Sequence, residues 1–183
     1  EWGGHLTIWV MDLMKIPAAF LPRAIAVLLV LMPMGANAEF RQESLDNDIP
    51  AEITEAAAAG KHLVIFFHQL GCPYCDKMRA RVHPNPKVMD YYSKHFIMIE
   101  SNIKGNLEVV MPDGSKGRER DLAKKIRIRA TPVFIFFDKT GKEVLKTTGY
   151  MDVERFYLAG KYVVEGGYKS GKSFFRYLQD QAK

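Results

Sequence analysis

A layered α/β fold, with a central mixed sheet flanked by helices, is predicted by three observations on this sequence. Two apolar runs, Leu63-Val64-Ile65-Phe66-Phe67 and Val133-Phe134-Ile135-Phe136-Phe137, carry no polar alternation, as strands buried on both faces require. Segments with helical spacing and capping residues lie between and around them. After the second run, Asp138-Lys139-Thr140-Gly141 forms a turn into a further strand-like stretch, which makes the last two strands an antiparallel hairpin. The 183 residues are 48% hydrophobic and 26% charged, proportions that exclude collagen-like, coiled-coil and wholly disordered classes. A net charge of +5 is modest and gives no reason to expect a nucleic-acid partner.

Residues 11–38 read as a secretory signal. Lys15 and Arg23 supply a basic start, residues 24–32 an unbroken apolar run, and Ala36-Asn37-Ala38 a small-x-small cleavage site. Nine apolar residues fall short of the roughly 20 that a membrane-spanning helix needs, which weighs against an uncleaved anchor. Translation is expected to start at Met11 or Met14, with residues 1–10 upstream of the signal. The expectation is therefore a periplasmic protein with one domain over residues 39–183.

Within that domain, residues 39–48 read as a polar leader. Residues 50–59 read as a short helix, stopped by Gly60. Residues 61–67 form the first strand. Cys75, Met78 and Val82 then recur at helical spacing, which places Gly71-Cys72-Pro73-Tyr74-Cys75 at the opening turn of a helix. Asn85-Pro86 is a cap followed by proline at the first helical position, and residues 96–100 return to strand. Residues 102–120 are polar and read as an insertion, with residues 107–111 and Pro112-Asp113-Gly114 marking a small hairpin. Leu122, Ala123 and Ile126 give a helical stripe before Thr131-Pro132 and the second apolar strand. Residues 143–148 complete the hairpin, and residues 153–164 and 174–178 are closing helices, the latter capped by Ser173.

The chemistry is concentrated in Cys72 and Cys75, the chain's two cysteines, held in one C-x-x-C unit. A thiol is a poor nucleophile until it ionises, and the free amides at a helix start favour the thiolate. Cys72 sits where those amides point. Its attack on a disulfide makes a mixed disulfide, which Cys75, one turn on, is placed to resolve. Pro73 suits the first helical position because its missing N–H would have no intrahelical partner. Tyr74 presents a ring to the docking surface. Half of a zinc site is the first alternative, with His68 and His83 nearby, but both histidines are isolated in sequence. A purely structural disulfide closing so short a loop would constrain little. Asp76 stands where covalent haem attachment needs histidine. No metal or other cofactor is called for.

A parallel βαβ unit, then a helix, then an antiparallel ββα unit is the order of the thioredoxin fold, here with an insertion before Thr131-Pro132 and an extra C-terminal helix. The segment Lys125-Ile126-Arg127-Ile128-Arg129-Ala130-Thr131-Pro132-Val133 resembles the stretch that leads into the thioredoxin cis-proline. Gly71-Cys72-Pro73-Tyr74-Cys75-Asp76-Lys77-Met78, Gly149-Tyr150, Gly166-Gly167-Tyr168 and Ser173-Phe174-Phe175-Arg176-Tyr177-Leu178 resemble the SoxW-type periplasmic thioredoxins of sulfur-oxidation clusters. The similarity spans residues 51–179.

The resemblance implies a cis Thr131-Pro132 bond packed against the cysteine pair, with Thr131 backbone aligning an extended substrate. It implies a thiol-disulfide oxidoreductase that reduces disulfides of exported proteins, with a membrane thiol transporter of the CcdA or DsbD kind as electron donor and a link to sulfur oxidation. A Dsb-type oxidant or isomerase would use the same residues with opposite electron flow, and a metal-binding adaptor would use them without turnover. Three positions depart from the thioredoxin pattern. Phe66 stands where a buried aspartate serves the second cysteine, Gly71 replaces a tryptophan, and Pro-Tyr replaces Gly-Pro. Pro-Tyr is shared with glutaredoxins, but their glycine pair is absent after Phe137, which disfavours glutathione as an obligate partner. The basic residues Lys116, Arg118, Arg120, Lys124, Lys125, Arg127 and Arg129 read as a solvated face more readily than as a docking patch. Phe156, Tyr157, Tyr162 and Tyr168 read as core more readily than as a partner groove.

Overall fold

Residues 63–67 have no polar side chain to offer water, so the strand they form must be covered on both faces. In the computed structural model, which describes residues 47–182, this is what happens. The predicted signal over residues 11–38, and the start of the domain at residue 39, lie outside the described residues. Strand β1 (His62–His68) has all five central residues at 0–1% exposure. It pairs in parallel with β2 (Phe96–Asn102) and antiparallel with β5 (Val133–Phe137), which pairs antiparallel with β6 (Glu143–Thr148). The order β2-β1-β5-β6 makes a mixed four-stranded sheet with the two apolar runs at its centre.

Alternation along each strand divides the core in two. Val64, Phe66, Met98, Phe134 and Phe136 point to one face, where α2 (Pro73–Lys77), a π-helical turn (Met78–Val82), α3 (Pro86–His95) and α5 (Val153–Val164) cover them. Leu63, Ile65, Phe67, Ile99 and Ile135 point to the other, against α1 (Ile49–Ala58) and α4 (Glu119–Lys125). Tyr92 is fully buried on the first face, stacked on Phe156 at 4.5 Å, and its hydroxyl donates to the Phe156 carbonyl at 2.7 Å. That bond removes the penalty of about 1–3 kcal/mol that an unpartnered buried hydroxyl would carry. Phe156 and Tyr162 are core residues, with Tyr157 and Tyr168 packed at its edge, as the helical spacing predicts.

The helix starts are fixed by the expected side chains and by one that was misassigned. Asn85 accepts from the Lys87 amide at 3.1 Å, and Ser173, ahead of α6 (Phe174–Gln181), accepts from the Arg176 amide at 3.3 Å. Asp48, read from sequence as leader, instead caps α1 through the Ala51 amide at 2.9 Å. The first strand is shifted one residue from its expected span, and the helix after Cys75 is interrupted. Its Met78–Val82 stretch widens to a π turn, closed by the His83 amide on the Met78 carbonyl, with Met78, Val82 and His83 all buried.

The insertion holds the hairpin of β3 (Glu108–Val110) and β4 (Lys116–Arg118). Buried Glu119 ties it to the sheet by accepting from the Asn102 amide at 2.7 Å. Its other carboxylate oxygen lies 1.8 Å from where a Cβ on residue 105 would be, so any side chain at Gly105 would have to displace the Glu119 carboxylate. The basic residues here are interleaved with acids: Lys125 bonds Asp113, and Lys124 approaches Asp121 at 3.9 Å. Among the described residues, no helix is long and apolar enough to cross a membrane.

Burial holds His62, His68 and His95 below the ordinary imidazole value, aided by Lys139 at His62, Arg79 at His68 and Lys94 at His95. The unfolded chain takes up these protons near pH 6.5, and the folded chain does so only at lower pH. Their contribution is therefore present above about pH 6.5 and lost as pH falls through the folded-state values. The urea midpoint is expected to be lower at about pH 5.5 than at about pH 7.5. A midpoint that held level or rose would contradict this assignment.

Candidate active site

The chain leaves β1 at His68 and must reverse into α2 within four residues. Gly71 makes that turn with φ +69°, a left-handed conformation that side chains resist, although space for a Cβ is open there. The residue that replaces the family tryptophan is thus set by backbone shape. Cys72 follows as the N-cap of α2, in extended conformation, and its Sγ accepts from the Cys75 amide at 3.2 Å. Pro73 occupies the first helical position. Cys72 and Cys75 form a disulfide with their Cα atoms 5.3 Å apart. Cys72 keeps 5% of its surface and Cys75 none, so an incoming group meets Cys72 first.

Thr131 and Pro132 come to the same place from the far side of the sheet. Their peptide bond is cis, and the Thr131 hydroxyl donates to Cys72 Sγ at 3.2 Å. This hydroxyl contact was not legible from sequence, where Thr131 entered only through its backbone. Pro132 is buried, and its carbonyl accepts from the Gly149 amide at 2.8 Å, which holds the loop before β5 against the end of β6.

Around this centre the surface is apolar and aromatic. Tyr74 is 58% exposed, and Leu70, two residues ahead of Cys72, is 92% exposed. Tyr150 stands 6.2 Å from Tyr74 between ring centroids, with the Lys77 ammonium 4.3 Å above it. Leu70 carried no sequence signal beyond its place in a loop, because exposure of a single leucine depends on the turn that presents it.

Beneath the helix, Phe66 is fully buried and stacks on Phe134 at 4.8 Å with planes 6° apart. The position is filled by an apolar ring packed among other rings, where thioredoxins place a carboxyl. The charged groups are on neighbouring elements instead. Arg79 forks onto Glu100 of β2, with Nη2 to Oε2 at 2.5 Å and Nε to Oε2 at 3.2 Å. His68 Nε2 lies 3.7 Å from the same oxygen. His83 packs among Phe66, Phe134 and Phe156, at centroid distances of 5.4, 6.0 and 5.4 Å. The two histidines weighed as zinc ligands are therefore engaged elsewhere, one with Glu100 and one in the aromatic core.

A thioredoxin-like domain model matches residues 49–164. No curated protein matched the chain. Among solved structures, a thioredoxin-fold protein from Helicobacter pylori is 21% identical with a TM-score of 0.55, covering 78% of this chain and 84% of its own. A thioredoxin from Thermus thermophilus is 26% identical with a TM-score of 0.52, covering 67% of this chain and 88% of its own. The mixed sheet flanked by helices is the architecture these matches share. A cysteine pair at C-x-x-C spacing on that architecture is a thiol-disulfide exchange centre, and the enzyme class is thiol-disulfide oxidoreductase. The chain belongs to the thioredoxin-like domain family.

Proposed function

We propose that this enzyme reduces disulfides of exported proteins in the periplasm, with Cys72 as nucleophile and Cys75 as resolving thiol. The observation that carries the reading is the disulfide seated at the start of α2, with the Thr131 hydroxyl on Cys72 Sγ and the more accessible cysteine outermost. In the reduced enzyme the Cys72 thiolate attacks one sulfur of a substrate disulfide. That bond breaks, and the departing substrate sulfur takes up a proton. Cys75 then gives up its proton and attacks Cys72 Sγ. This frees the second substrate thiol and closes the Cys72–Cys75 disulfide, so two electrons and two protons have passed to the substrate. Tyr74 and Pro73 form the rim on which the substrate docks, and Thr131-Pro132 aligns its extended backbone.

The secretory reading of residues 11–38 supports export. The resemblance to SoxW-type thioredoxins supports a membrane thiol transporter of the CcdA or DsbD kind as donor, and a link to sulfur oxidation. No cofactor enters the cycle, because the sulfur atoms carry the electrons. Insulin reduction with dithiothreitol as donor tests the activity, and equilibration with glutathione tests its direction. A potential toward the reducing end of the family range of about −270 to −120 mV is expected, and one near about −120 mV would overturn the reductant reading.

A further inference from the structure

We propose that Glu100 sets how readily the cysteine pair gives up its electrons, by neutralising the Arg79 guanidinium carried one turn beyond Cys75. This rests on the thiol-disulfide reading above and concerns its poise. Arg79 follows Cys75 by four residues, in the π turn that continues directly from α2. Its guanidinium lies 5.0 Å over the ring of Phe66, which belongs to the same packed cluster as both cysteines. There, a cation favours a thiolate. Register determines what opposes it: β1 and β2 pair in parallel with Phe66 opposite Glu100, so the carboxylate arrives beside the ring and takes the guanidinium as a fork. Both side chains of the pair are 27% exposed, so water screens their charges only in part.

The other charges facing this cluster are few. Asp76 on α2 meets Arg79 at 3.4 Å but is 72% exposed and well screened. Lys77 turns away to Tyr150, His68 on β1 faces Glu100, and Glu119 on α4 is held on the Asn102 amide. Reducing the disulfide consumes two electrons and two protons and yields the dithiol. Any charge that stabilises its thiolate form stabilises the reduced enzyme and makes the disulfide a stronger oxidant. With Glu100 in place the cation is cancelled, and the pair stays a donor. Glu100 acts through Arg79 and is a positioning residue.

The test is a charge-sign cycle, read as the equilibrium constant with reduced and oxidised glutathione and as the pH at which thiolate absorbance near 240 nm appears. Glu100→Gln removes the partly buried counter-charge and leaves the cation to the exposed, well-screened Asp76. It should move the constant roughly fivefold toward the dithiol enzyme and bring the thiolate in at lower pH. Arg79→Met leaves the carboxylate and should shift both readouts roughly fivefold the other way. The double variant should return to within about twofold of the parent, and Glu100→Asp should restore most of the parental value. Structural damage alone has no reason to give opposite signs. Single variants that shift together, or do not shift, while the parent still reduces insulin would overturn the proposal and leave the oxidoreductase reading standing. A parent that fails to reduce insulin would overturn both. If Glu100→Gln does not fold, the direction of the Arg79→Met shift decides.

Discussion

Cys75→Ser is expected to accumulate mixed disulfides with cellular proteins, and Cys72→Ser to accumulate none. Both variants should lose insulin reduction by roughly a hundredfold or more, because each removes one half of an exchange whose second step is intramolecular. They differ in what they leave behind. With Cys72 intact, the first attack still occurs, and the serine hydroxyl at position 75 cannot displace the captured substrate. With Cys75 alone, the remaining thiol belongs to a residue with no exposed surface, inside the first turn of α2. The measurement is non-reducing electrophoresis of tagged variants recovered from cells, followed by release with dithiothreitol. Trapping by Cys72→Ser alone would exchange the two roles.

The features legible in the sequence were those with local causes. The apolar runs at residues 63–67 and 133–137 had no choice but to be central strands, and Asn85 and Ser173 cap helices because their side chains reach amides two or three residues on. The C-x-x-C unit falls at a helix start because Gly71 and Pro73 define one. Features that depend on register or on distant elements were not legible. Arg79 and Glu100 are 21 residues apart, and their pairing follows from the parallel alignment of β1 with β2. The π turn at Met78–Val82 has the same residue types as an ordinary helix, and the i→i+5 bond at its end leaves no mark in spacing. The cis bond at Thr131-Pro132 was implied by resemblance, since proline before a strand is by itself more often trans. The Thr131 hydroxyl bond to Cys72 follows from that geometry and could not precede it.

Phe66→Asp should be the most damaging single change at the site, although it restores the residue type that thioredoxins place there. Removing a buried phenylalanine ring costs about 3–5 kcal/mol through lost transfer energy and the cavity left behind. Phe66 meets this case: it is fully buried, stacks on Phe134, lies edge-on to His83 and sits beneath the Arg79 guanidinium. A carboxyl in its place would also be desolvated, and the nearest cation is already taken up by Glu100. Phe66→Leu, which keeps most of the apolar volume, should cost about 1 kcal/mol, so the pair separates loss of packing from introduction of a polar group. Urea midpoints at neutral pH supply the comparison, with the aspartate variant expected lower by at least about 4 kcal/mol in converted stability. If Phe66→Asp instead matched the parent in stability and sped disulfide exchange, the floor of this site would be an acid-accepting pocket. The charge balance assigned to Arg79 and Glu100 would then have a competitor within the cluster that holds both cysteines.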